Sequence, residues 1–201
     1  MKNDTLHNLA VFWSNKLNRH VQKQGIEYQK MILGMEILLH NIPKLILLVI
    51  IALILGILPQ AAVTWFSFAC IRRYASGLHA GNSIICTLMT LLMFAAVPYV
   101  LQGMRFNAEG LALALVFIGI GLYKFAPADT ATRPILGRKK RARLKIKSIL
   151  ACVFLLLFSL ALRDELVYGL VAVGAIYALI AVMPITYLFL RRRYKNYEQY
   201  E

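Results

Sequence analysis

Six apolar runs, at residues 31–58, 61–71, 83–101, 111–125, 148–162 and 166–190, alternate with short polar or basic segments along this chain of 201 residues. A bilayer crossing takes about twenty apolar residues in a helix, so the pattern reads as a series of membrane helices. Composition agrees, with 60% apolar residues and a mean hydropathy of +0.64, well beyond an ordinary soluble domain. The expected fold is all-α: a polytopic membrane protein of about six transmembrane helices preceded by an amphipathic interfacial helix. It is expected as one membrane domain over 1–201. An amphipathic segment at 1–30 precedes the first four spans at 31–125, a basic loop at 126–147, the last two spans at 148–190 and a basic tail at 191–201.

Several runs need help to span. Within 31–58 the uninterrupted part, 45–58, has only fourteen residues, so the first helix is expected to begin upstream of Pro43 and to kink or tilt there. The run at 61–71 stops at Arg72 and Arg73, and completes a span only if 58–60 form a tight turn. Glu36 and His40, four apart, share a helical face and are expected to pair or to line a polar cavity. In 1–30, Leu6, Leu9, Phe12, Trp13, Leu17 and Val21 recur at helical intervals among Lys16, Arg19 and Lys23, the signature of a helix lying among headgroups. His7 and His20 read as solvated, and no cleavable signal segment is expected.

The net charge is +14, and its distribution matters more than its size. With six spans the clusters at 16–30, 72–73, 133–147 and 191–195 fall on one side while Arg105 and Arg163 fall opposite. The positive-inside rule makes the richer side cytoplasmic, with both termini in the cytoplasm of a multi-pass cell-membrane protein. Basic residues there contact acidic lipid, and no nucleic-acid partner is expected. Three cysteines cannot all pair, and Cys70 and Cys152 lie in or beside apolar runs, so reduced thiols are expected.

Between the second and third spans the chain reads Arg72-Arg73-Tyr-Ala-Ser-Gly77-Leu-His79-Ala-Gly81-Asn82-Ser83-Ile-Ile-Cys86. A thiol near an imidazole is the minimal equipment for attack on a carbonyl, the sulfur as nucleophile and the ring as proton carrier. One straight helix would hold His79 and Cys86 about 10.5 Å apart along its axis. Pairing them therefore requires the chain to double back at its glycines, with a new helix opening near Asn82 or Ser83, either of them a good cap. Cys86 would then sit in a first turn, where free amides and the helix dipole favour thiolate.

These residues, Arg73-x-x-x-Gly77-x-His79-Ala80 followed by Cys86, together with Ala126-Pro127-Ala128-Asp129-Thr130 and Arg133-Pro134-Ile135, resemble the accessory gene regulator protein B (AgrB) family of bacterial membrane cysteine endopeptidases. The resemblance implies Cys86 as nucleophile and His79 as general base, in a site at the cytoplasmic side. The substrate it implies is the quorum-sensing pro-peptide AgrD or a similar peptide. Its C-terminal tail is released as an acyl-enzyme thioester forms, and a Cys or Ser within the peptide displaces the enzyme to close a thiolactone or lactone. A homodimer is implied too. Asp129 is a candidate to orient His79, Asn82 and Ser83 are candidate oxyanion donors, and each also fits a plain loop or cap role. Arg72, Arg73, Lys139 and Lys140 suit a substrate with an acidic tail, although retaining the loop in the cytoplasm already accounts for them. No cofactor or metal is expected. The alternatives are a small peptide exporter using Glu36 and His40, and a lipid-modifying transferase, for which the acidic clusters that hold divalent metal are missing.

Overall fold

The computed structural model describes residues 4–78, 83–131 and 134–200. The helices are α1 (Asp4–Val21), α2 (Gly25–Ile54), α3 (Leu58–Ala75), α4 (Ser83–Leu101), α5 (Ala108–Phe125), α6 (Arg138–Leu162), α7 (Glu165–Ile180) and α8 (Pro184–Phe189), followed by a 3-10 turn at Asn196–Gln199. Four of them, α2, α4, α5 and α6, are long and apolar enough to cross a membrane. The chain is an all-α membrane protein, as expected.

The two weaker runs fold with differences. The turn before α3 lies at Leu55–Ile57, around Gly56 with φ +67°, not at 58–60. Pro59 sits instead in the first turn of α3, where a missing N–H costs nothing. The run at 166–190 is not one helix. It breaks at 181–183 and restarts as α8, because Met183 precedes Pro184 and takes an extended ψ of 138°, the conformation a following proline ring imposes.

The chain forms two compact units, residues 1–51 and 52–201, divided near the end of α2. In the first, α1 folds back along α2. The Asn18 side chain brackets the connection, donating to the Lys23 carbonyl at 3.0 Å and accepting from the Lys23 amide at 2.7 Å. Tyr28 donates to Asn15. Glu36 meets the His7 ring at 2.5 Å, so the expected pairing of Glu36 with His40 does not form and His7 is not merely solvated. Phe12, Trp13 and Leu17 remain exposed on α1, as an interfacial helix requires. The amphipathic segment is shorter than 1–30, since α2 already begins at Gly25 and runs through Pro43 without a break.

The second unit is built on α3 and α7. Their approach is close because the facing residues are small: a Cβ on Gly174 would lie 2.5 Å from the Thr64 carbonyl oxygen and 2.8 Å from the Ser67 Cβ. Thr64 and Ser67 are buried, and each returns its hydroxyl to its own helix, to the carbonyls of Gln60 and Val63. Small and hydroxyl-bearing residues are what helices use to approach in lipid. Leu111, Leu115, Ile118 and Leu122 of α5, and Ala151, Cys152 and Leu155 of α6, complete this core. In α4 the stretch Leu92–Ala96 is a π turn in which the Val97 amide reaches back to Leu92. Pro98, which cannot donate to a helical ladder, follows it directly, and Phe94 is turned onto Phe68 at 5.3 Å and Tyr177 at 6.0 Å.

Candidate active site

α3 ends where its backbone can no longer stay right-handed. Ser76 has φ +57° and Gly77 φ +105°. A side chain at Gly77 has no room, since a Cβ there would lie 2.4 Å from the Ala181 carbonyl oxygen and 2.7 Å from Arg72 Nη1. Only glycine meets both demands.

Breaks from distant parts of the chain hold this bend. The Gly77 amide donates to the Ala128 carbonyl at 2.8 Å, the Ala128 amide donates to Ala75 at 3.0 Å, and the Leu78 amide donates to Ala181 at 3.2 Å. Ser76 and Ala128 thereby form a parallel bridge. The interruption after α7 supplies an acceptor, because the carbonyl of Ala181 no longer faces a helical amide one turn on. Arg72 closes the arrangement from within α3, donating through Nη2 to the carbonyls of Gly77, at 3.1 Å, and Leu78. The backbone delivering the chain to position 79 is thus fixed on several sides.

His79 and Asn82 lie outside the described residues. Helix α4 is described from Ser83 onward. Cys86 is its fourth described residue, half-buried, with its carbonyl accepting from the Thr90 hydroxyl at 2.8 Å. Its neighbours Ile84, Ile85, Leu88 and Met89 are exposed apolar side chains. The cysteine therefore stands among exposed apolar side chains of α4. All three cysteines are free thiols.

Asp129 is buried, with both carboxylate oxygens engaged by the C-terminal segment. Oδ1 accepts from the Asn196 amide at 2.8 Å and Oδ2 from the Tyr197 amide at 2.7 Å, while the Tyr187 hydroxyl donates to the Asp129 carbonyl at 2.7 Å. Tyr194 donates to Phe125 at 3.2 Å. Burial raises the pKa of that hydroxyl, with Tyr197 and Asp129 adding to the shift, so it stays protonated and can act as donor.

Beside Asp129 opens a cavity of about 250 Å³ bordered by Lys124, Arg141, Lys145 and Lys195. Of the residues expected to hold an acidic substrate, Arg72 is spent on the bend, Arg73 lies on an exposed part of α3, and Lys139 and Lys140 are exposed in the first turn of α6. Of the cations at this cavity, Arg141 and Lys145 lie in the basic 138–147 cluster that the sequence offers for an acidic tail, whereas Lys124 and Lys195 carry no such expectation. The available signal was spacing: Arg141 and Lys145 are four apart and share a face.

The family model described as Accessory gene regulator B matches residues 11–187. A putative AgrB-like protein of Clostridium acetobutylicum is 36% identical over 200 residues, covering all of this chain and 96% of the relative. A putative AgrB-like protein of Listeria monocytogenes is 38% identical over 174 residues, 87% of this chain and 85% of the relative. The accessory gene regulator protein B of Staphylococcus aureus is 32% identical over 184 residues, 88% of this chain and 97% of the relative. No solved structure matches.

Proposed function

This chain belongs to the accessory gene regulator B family, and from that premise we propose that it is the membrane-embedded cysteine endopeptidase that processes an AgrD-like pro-peptide. Membership places it in the accessory gene regulator quorum-sensing pathway. The proteolytic role rests on one observation above the others. A backbone bend held by Ala128, Ala181 and Arg72 ends at Leu78, next in sequence to His79, and a free thiol sits on the fourth described residue of the following helix.

The chemistry balances without a cofactor. The Cys86 thiol gives its proton to His79 and its sulfur adds to the scissile carbonyl. When the tetrahedral intermediate collapses, the C–N bond breaks and His79 returns the proton to the departing amine. The tail leaves, and the remaining peptide is held as a thioester. A Cys or Ser in that peptide then attacks the same carbonyl, releasing Cys86 as a thiol and closing the ring. Exclusion of water favours closure over hydrolysis, and the exposed apolar side chains around Cys86 suit a carbonyl held beside lipid. Ser83, the first described residue of α4, is the proposed donor to the developing oxyanion. The cavity lined by Lys124, Arg141, Lys145 and Lys195 suits the departing acidic tail, alongside Lys139 and Lys140. The active site faces the cytoplasm with both termini, and the working form is a homodimer. Exporter chemistry would need Glu36 along a path, and its carboxylate is instead bonded to His7.

The test is cleavage in cells that co-express the pro-peptide. Cys86→Ala and His79→Ala should leave it uncut at unchanged membrane levels of the chain. Continued cleavage in either variant refutes the assignment.

A further inference from the structure

A second cavity, of about 360 Å³, lies between α3 and α6 and is lined by Cys70, Arg73, Tyr74, Lys147, Leu150, Ala151 and Phe154. Its lining is ordered along the two helices. Lys147, Leu150, Ala151 and Phe154 form one stripe of α6 at i, i+3, i+4 and i+7, and Cys70, Arg73 and Tyr74 repeat the pattern on α3. Both cations occupy the end where α3 stops and the apolar part of α6 begins. From Lys147 to Phe154 the groove descends about 10 Å, passing from charge to hydrocarbon. Lys147 and Arg73 lie 5.7 and 6.0 Å from the Tyr74 ring. Neither cation is within salt-bridge distance of a carboxylate among the described residues.

The geometry points to a binding site for one anionic phospholipid: its phosphate sits between Arg73 and Lys147 with the Tyr74 hydroxyl as a further donor, and one acyl chain lies along Leu150, Ala151 and Phe154. A free phosphate would use the rim and leave the apolar groove unfilled, and a neutral lipid would leave the two cations unmatched. Basic pockets between membrane helices at headgroup level are where acidic lipids bind. The occupant would also brace the end of α3, one helical turn from the bend at Ser76–Leu78. The inference goes beyond the proteolytic role and stands without it.

The test uses the full chain in nanodiscs, with Phe154→Trp as reporter and Trp13→Phe and Trp65→Phe to silence the other indoles. Brominated phosphatidylglycerol and brominated phosphatidylcholine are compared as quenchers at equal low mole fraction. Each cation near an anionic headgroup contributes on the order of a fivefold preference, so phosphatidylglycerol should quench at a several-fold lower mole fraction. Arg73→Gln with Lys147→Gln should abolish the difference, and Arg191→Gln with Arg192→Gln, removing the same charge elsewhere, should keep it. Should the first pair fail to insert, native mass spectrometry of the unaltered chain decides, with one phosphatidylglycerol retained against equimolar phosphatidylcholine as the supporting result. Equal quenching or retention of the two lipids, or a preference that survives loss of Arg73 and Lys147, overturns the site.

Discussion

Asp129 and Asn196 are joined by a buried hydrogen bond, carboxylate Oδ1 to backbone amide at 2.8 Å, across 67 residues of sequence. With Oδ2 on Tyr197, the carboxylate caps the 3-10 turn of the C-terminal segment, and its own backbone lies one residue from the strand-like contact that positions Gly77.

Removing this clasp should loosen the tail. Asp129→Ala strips two charge-assisted bonds from buried amides, a loss of about 3 kcal/mol, while Asp129→Asn keeps one acceptor and should lose roughly half as much. Thermal unfolding in detergent measures both. A chain ending at Arg193 should behave like Asp129→Ala, and combining the two changes should cost little more than either alone.

Gly77→Ala should abolish cleavage with the protein still in the membrane. The substitution brings a Cβ to 2.4 Å from the Ala181 carbonyl oxygen at a φ of +105°, so the backbone before His79 must move. An immunoblot for membrane level beside pro-peptide release checks it, and at least a tenfold fall in release is expected, since misplacement by about 1 Å is worth up to a hundredfold.

Arg72→Lys should be far from conservative. Nη2 of the guanidinium reaches the Gly77 and Leu78 carbonyls together, at the end of a side chain one bond longer than lysine's and held in a plane that an ammonium does not keep. A loss of tenfold or more in cleavage is expected, against less than about threefold for Arg73→Lys, which keeps an exposed cation. Parallel release assays on the two variants separate a structural Arg72 from general charge.

Glu36→Gln should leave cleavage within about twofold and stability within about 1 kcal/mol, because its pairing with His7 is partly exposed and such pairs contribute little. A loss of product outside the cell with normal cleavage inside it would revive the exporter alternative.

Local features of this fold could be read in the sequence. Apolar runs became helices, and Gly77 sits where the chain must turn. Contacts that close the site were not legible, because they join segments with no sequence relation: Ala128 and Ala181 to the bend, the tail to Asp129, Glu36 to His7 rather than to the nearer His40. A helix period favoured His40 for Glu36, but the fold-back of α1 brings another imidazole within reach. Pro184 did carry a signal for the break after α7, masked by the high hydropathy around it. Basic residues were the least informative, since an exposed Lys139 and a cavity-lining Lys145 look alike until α6 fixes their faces.

The most direct measurement is the mass of the chain after reaction with a pro-peptide whose internal Cys or Ser is replaced by Ala, so that the acyl-enzyme cannot close a ring. Intact-protein and peptide mass spectrometry should find the N-terminal peptide fragment attached at Cys86 through a hydroxylamine-sensitive bond, absent from Cys86→Ala and sharply reduced in His79→Ala. Tail release from Cys86→Ala, or an adduct on Cys70 or Cys152 in place of Cys86, would contradict the account.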